Sequence, residues 1–426
     1  MQAVANRQAE PRSTVAAVQA RTRRVAFDYL RTFVVVLVVW HHAVLAYAMS
    51  ATINPENPIA TFTPVADVQR WLGFDVLTGF NDTFFMALMF FISGLFVWRS
   101  LARKGVGPFL RDRLIRLGIP FVVGVLVLVP LAYYPAQLTV QLVYGGNVSY
   151  GEFWRALARN GFGTAGPLWF VWLLLLFDAV AAVIYSLLRP ARQVGETRRR
   201  AVFERPWLFF AVILAASAAA YLPMVRIFGP LAWIGVGPFV AQASRIFFYL
   251  VYFLAGVAVG AYGLERSLLQ SGGVLARRWW IWLPAGLLAF VVLLVSVVGG
   301  PSRPMVDAVA FTVACATLVL GFTALFLRFA TRRVGIFDSL TANALRHLYR
   351  PLRGLCCGCN TRCWASNSRP SPRARWSLPR AGVELGHGGA AAPCAGRSAG
   401  DLTGAGPIGH HDIITQASSA QIGHAP

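Results

Sequence analysis

Lysine is almost absent from this 426-residue chain; Lys104 is the only one. Charge of any sign is scarce. Asp, Glu, Lys and Arg make up 13% of the residues, against roughly a quarter in an average soluble domain. With 57% hydrophobic residues and a mean hydropathy of +0.57, that scarcity excludes an ordinary soluble globule. It points to a chain that crosses a bilayer several times. Cysteine is also sparse. Five of the six follow residue 350 and Cys315 sits alone in an apolar run, so no disulfide framework is implied. There is no G-x-S-x-G elbow and no phosphate-cradling glycine loop, so neither route to acyl or phosphoryl chemistry is expected. No repeat of fixed period is present.

The charge that is there is lopsided. The net +22 comes almost wholly from arginine. A pI near 11 would suggest nucleic acid in a soluble protein. In a polytopic chain the same arginines belong at cytoplasmic helix ends, and no nucleic-acid partner is expected. Apolar runs recur at about 27–49, 80–97, 114–134, 168–188, 207–222, 246–262, 279–298 and 306–329. These runs predict an all-α bundle of eight membrane-spanning helices. Every second connection is basic: Arg21, Arg23 and Arg24 before the first run, Arg99 to Arg116 before the third, Arg189 to Arg200 before the fifth. Arg266, Arg277 and Arg278 precede the seventh, and Arg328, Arg332 and Arg333 follow the eighth. The alternation places the N-terminus and residue 330 both in the cytoplasm. Residues 1–26 read as a basic cytoplasmic segment. Ala46-Tyr47-Ala48 resembles a signal cleavage site, but the preceding apolar run is too long for a signal peptide, so it reads as an uncleaved anchor. Gly256 and Gly260 form a small-xxx-small pair suited to close helix packing.

The first run carries Asp28, Arg31, His41 and His42. Ionisable groups within a span cost about 2.5–3.5 kcal/mol each on the insertion scale, so they are functional candidates. At about 100° per residue, eleven positions return His42 to within about 20° of Arg31, and about 16 Å further along the axis. Asp28 lies on the same side; His41 is about 80° off that stripe and reads as structural. A charged entrance and a titratable base partway across suggest a site that reaches through the membrane. A packing histidine bonded to a neighbouring carbonyl is the plainer account of His42. Arg113 and Arg116, one turn apart, share a face at the cytoplasmic start of the third run. Their guanidinium forks suit phosphate; positive-inside anchoring or contact with lipid phosphates is the alternative. Asn81 and Asp82, at the outer start of the second run, could hydrogen-bond hydroxyls or merely cap the helix. Cys356 and Cys359 have C-x-x-C spacing, but no second pair follows in a folded context and no metal site is expected.

Arg31, ten residues, then His42, together with Arg113-x-x-Arg116, resemble the two signature motifs of acyltransferase family 3, integral-membrane O-acyltransferases of sugars and glycans. The resemblance continues in Phe90-Phe91-Ile92-Ser93-Gly94-Leu95, in Phe109 to Arg113 through Ile119-Pro120-Phe121, and in Pro167-Leu168-Trp169-Phe170. It covers roughly residues 24–345, and its nearest branch resembles the glucans biosynthesis protein C type, a succinyltransferase. The resemblance implies an acyl-CoA donor docking from the cytoplasm with its phosphates on Arg31, Arg113 and Arg116. It implies His42 as general base and Asp28 as a group that orients Arg31 or partly neutralises the cluster. A carbohydrate acceptor would approach from the outer side of a bacterial inner membrane. A proton-coupled transporter using Asp28 and His42 as a relay is the rival class.

Members of the family are expected to have ten helices, and 337–344 resembles the approach to a ninth. Instead, Ser, Arg, Pro, Gly and Ala take over from residue 346 to 426. That composition suggests either a disordered basic tail or an out-of-frame reading of a GC-rich gene. The expectation is that the frame was lost near residue 345 and the domain proper covers 27–345.

Overall fold

The computed structural model describes residues 2–59, 63–188, 202–299, 303–335 and 338–339. They belong to one compact unit, Met1–Cys359. The tail from residue 346, with Cys356 and Cys359, lies outside the described residues.

Among the described residues, eight helical segments are long and apolar enough to cross a membrane, as many as the hydropathy pattern predicts. They are Val25–Tyr47, Leu72–Lys104, Val106–Tyr144, Gly166–Leu188, Pro206–Phe228, Ala243–Tyr262, Trp279–Val298 and Pro304–Phe329, here called spans one to eight. The second, sixth and eighth form the centre, with 72%, 61% and 67% of their most apolar stretch buried. The first and seventh bury only 22%, so most of their surface is left for lipid.

The expected boundaries fail where polar residues sit inside helices. The first helix begins at Gln2, so the basic N-terminal segment runs unbroken into span one. The second begins at Leu72, not Phe80. Asp75, in its first turn, accepts from the backbone N–H groups of Met49 and Ser50 and so ties the preceding loop to the helix start. Asn81 and Asp82 therefore lie in the helix interior, and capping is not their role.

Span three is a chain of short helices with two widened turns, Leu114–Gly118 and Gly124–Leu128, both π-helical. Each lies just ahead of a proline, Pro120 and Pro130. A proline cannot donate to the carbonyl four residues back, so Arg116 and Leu126 are released from the regular ladder. Trp154 Nε1 takes up the Leu126 oxygen at 2.9 Å. Such bulges recur at functional sites. The loop before span six holds a small departure from all-α structure. Strands β1 (Trp233–Val236) and β2 (Phe239–Gln242) form an antiparallel hairpin. Gly237, with φ +56°, and Pro238 suit its two-residue turn.

Spans two and six run side by side in the same direction. Gly94, Gly256 and Gly260 let their backbones touch: a Cβ on Gly256 would collide with the Phe91 carbonyl, and one on Gly260 with that of Leu95. This is the packing that the small-xxx-small spacing predicts.

Candidate functional site

A cavity of ≈ 610 Å³ opens at the arginine-rich end of the bundle. One wall is the first helix, where Arg23, Phe27 and Arg31 recur every four residues and so share a face. The other wall is a helical hairpin. Val97–Lys104 turns at Gly105, whose φ of +79° favours glycine, into Val106–Arg113. The lip is Leu264 and Glu265, in the loop after span six. Arg31, Arg113 and Arg116 all line this cavity, as does Asp28. The three arginines that the resemblance brings together are therefore neighbours in the structure.

The cavity is strongly cationic. Arg23, Arg31, Arg99, Arg103, Lys104, Arg113 and Arg116 face it against Asp28, Asp112 and Glu265; seven basic groups against three acidic leave a formal +4. Among the described residues, Arg31, Arg103 and Arg116 have no ion-pair partner, so their charge is available to a ligand. The others are held. Lys104 pairs with Asp112. Arg99 Nη2 donates to Glu265 at 2.6 Å, and Arg23 Nη2 reaches the other oxygen of the same carboxylate at 3.4 Å. Partial burial pushes the Glu265 carboxyl up, but the Arg99 bond and the charges of Arg99 and Arg23 pull it down further, leaving it below the ordinary glutamate value. Arg113 Nε stands 3.2 Å from Oδ2 of Asp178, whose side chain is completely buried in span four. The guanidinium of Arg31 lies 4.4 Å from the Phe96 ring centre and that of Arg113 5.2 Å from Phe109, cation–π contacts that hold the planes in place. Asp28 stands 3.8 Å from Arg333 and, at fourteen helical residues, about 21 Å from His42. It belongs to the cavity, not to the base.

His42 lies outside this cavity, on the open side of span one. Its Nδ1 is 2.8 Å from the Val38 carbonyl oxygen. A carbonyl only accepts, so Nδ1 carries the proton and a neutral ring presents Nε2 as a lone pair. His41 turns toward the bundle, stacking on Phe85 at 5.2 Å between ring centres, and its Nδ1 is buried without a partner. Nearby, Asp82 Oδ2 accepts from Arg245 Nη1 at 2.7 Å. Asn81 is 3% exposed and its Nδ2 has no partner.

Sequence reading missed Asp178, Arg245 and the lip pair Arg99–Glu265. Asp178 breaks an apolar run and carried the same signal as Asp28. Arg245 sits one residue outside the apolar run read for span six. The lip pair carries no local signal, since 166 residues separate its members.

A sequence model of a family described as an acyltransferase domain matches residues 24–345. No curated protein and no solved structure matches the chain.

Proposed function

Because the chain belongs to the acyltransferase-domain family, matched over residues 24–345, we propose that this multi-pass membrane enzyme takes its acyl group from a coenzyme A thioester at the cytoplasmic cavity. The acceptor in this reading is a glycan hydroxyl on the outer side of a bacterial inner membrane. The observation that carries it is the cavity's formal +4. Coenzyme A bears about four negative charges near neutral pH, two on its diphosphate and up to two on its phosphomonoester. A ligand of that charge fits three unpaired guanidiniums backed by four paired cations.

His42 lies eleven residues beyond Arg31 on the same helix, about 16 Å along the axis. The donor's arm would bridge that length and bring the thioester toward it. His42 Nε2 would take the proton of the acceptor hydroxyl as its oxygen attacks the thioester carbonyl. The new C–O bond forms, the C–S bond breaks, and the resulting imidazolium returns the proton to the departing thiolate. Asp178 would aim Arg113 at the phosphates, and Asp28 would temper the charge beside Arg31. The acyl group is acetyl or succinyl in this reading, with a periplasmic glucan as the acceptor of the nearest branch.

The test is coenzyme A binding to purified protein in detergent. Affinity should fall as salt rises, because the contact is ionic, and Arg113→Ala should weaken it about tenfold or more, as loss of a charged hydrogen bond implies. Salt-independent binding, or binding unchanged when Arg31, Arg113 and Arg116 are all replaced by Ala, would refute the donor site.

A further inference from the structure

Of the ion pairs among the described residues, only Arg245–Asp82 is remote from the cationic cavity; each of the others uses a cavity residue or Arg333 beside it. Arg245 ends the short turn that follows the β-hairpin and starts the helix of span six. It is 5% exposed. Its Nη1 reaches Asp82 Oδ2 at 2.7 Å and donates to the Tyr249 hydroxyl at 3.4 Å, and its guanidinium lies 4.7 Å from the Phe311 ring centre. Its Nε is buried and unpartnered. The two halves of the pair differ in access. The Arg245 side chain is 6% exposed and that of Asp82 is 42% exposed. The carboxylate is the accessible half of the pair. Here one oxygen is committed and Oδ1 has no hydrogen bond among the described residues.

The open carboxylate stands at the level of the histidines. Phe85, one turn beyond Asp82, carries the stacked His41 ring, and His41 and His42 have ring centres 5.3 Å apart. Buried Asn81 adds an unpartnered amide donor at the adjacent position. We propose that Asp82 and Asn81 form the acceptor-binding station for a polyhydroxylated ligand, a carbohydrate, and that Arg245 is its positioning residue. The proposal deepens the acyltransferase reading above and rests on it for the carbohydrate's role. The chemistry is direct. A carboxylate only accepts hydrogen bonds, so it selects hydroxyl donors. The Asn81 amide, about 100° further round the same helix, is a buried donor that a second hydroxyl oxygen would satisfy. Without Arg245 the carboxylate would lose the bond that fixes Oδ2, and with it the aim of Oδ1.

The experiment is a titration of full-length protein in detergent, with coenzyme A present, by a β-linked glucose tetrasaccharide. The wild type should bind it. Arg245→Gln and Asp82→Asn should each raise its Kd about tenfold or more, the loss expected for a hydrogen bond to a charged group, and Arg245→Lys should recover part. Coenzyme A affinity should stay at the wild-type value in all three. Failure of the wild type to bind the sugar, or equal binding by the variants, overturns the station. So does a parallel fall in coenzyme A affinity, which would mark a purely structural pair. If Arg245→Gln does not fold, Asp82→Asn decides alone. Sugar binding that behaves as expected, without acyl transfer to the sugar, would leave the station standing and sink the acyltransferase reading of this site instead.

Discussion

His42 and His41 are neighbours with opposite surroundings. His42 stands on the open side of span one with its Nδ1 proton committed to Val38, whereas His41 is turned inward onto Phe85. His42→Ala should therefore abolish acyl transfer while the protein remains in the membrane at wild-type level. His41→Ala should be far milder, since it removes one stacking partner and no exposed base. Activity assays on membranes holding equal amounts of each variant check this; equal losses would move the chemistry off His42. The helical wheel foresaw the divergence of the two rings, because adjacent helical residues point about 100° apart. It had no means of seeing that the face holding His41 carries Asp82 and Arg245, which come from two other spans.

Helices in this protein are adjusted by single small or ring-closed residues. The third span is widened ahead of Pro120 and Pro130, and the first widened turn contains Arg116. The second and sixth spans touch through Gly94, Gly256 and Gly260. The Gly256 contact is backbone on backbone, so no side chain can swing away to make room. Gly256→Leu should destabilise the bundle by about 1–3 kcal/mol or more, the usual cost of overpacking. It should lower the midpoint of thermal unfolding in detergent, with Gly79→Ala, where a Cβ would meet nothing within 4 Å, as the unaffected control. The spacing of Gly256 and Gly260 was readable from sequence, but their partner, span two, was not.

Across the whole bundle, charge sorts by end. The cavity gathers seven cations from the first helix, from the end of span two and from the start of span three, all assigned to the cytoplasm by the alternation of basic loops. Span one shows a weakly buried outer half that includes Val39, Trp40 and exposed His42. An open face carrying a titratable ring in a membrane is costly, and it fits the proposal that two further spans belong to the domain and that the frame was lost near residue 345. Translating the encoding DNA in the other two frames from codon 340 should yield two apolar spans in one of them. Stop codons or polar sequence in both would refute it.

The amino-acid order was sufficient for the class and for the number of spans among the described residues. Each of these follows from local periodicity or from composition, which a chain displays without folding. The domain family followed from the motif residues Arg31, His42, Arg113 and Arg116. The start of span two needed the folded chain, because Asp75 looks like a loop residue until the backbone of Met49 and Ser50 bonds to it at the helix start. The Arg99–Glu265 lip, the Arg113–Asp178 pair and the Arg245–Asp82 pair span 166, 65 and 163 positions of sequence. Charges so far apart meet only when packing brings their helices together; burial makes pairing obligatory for Asp178 and Arg245, whereas Arg99 and Glu265 meet in the open.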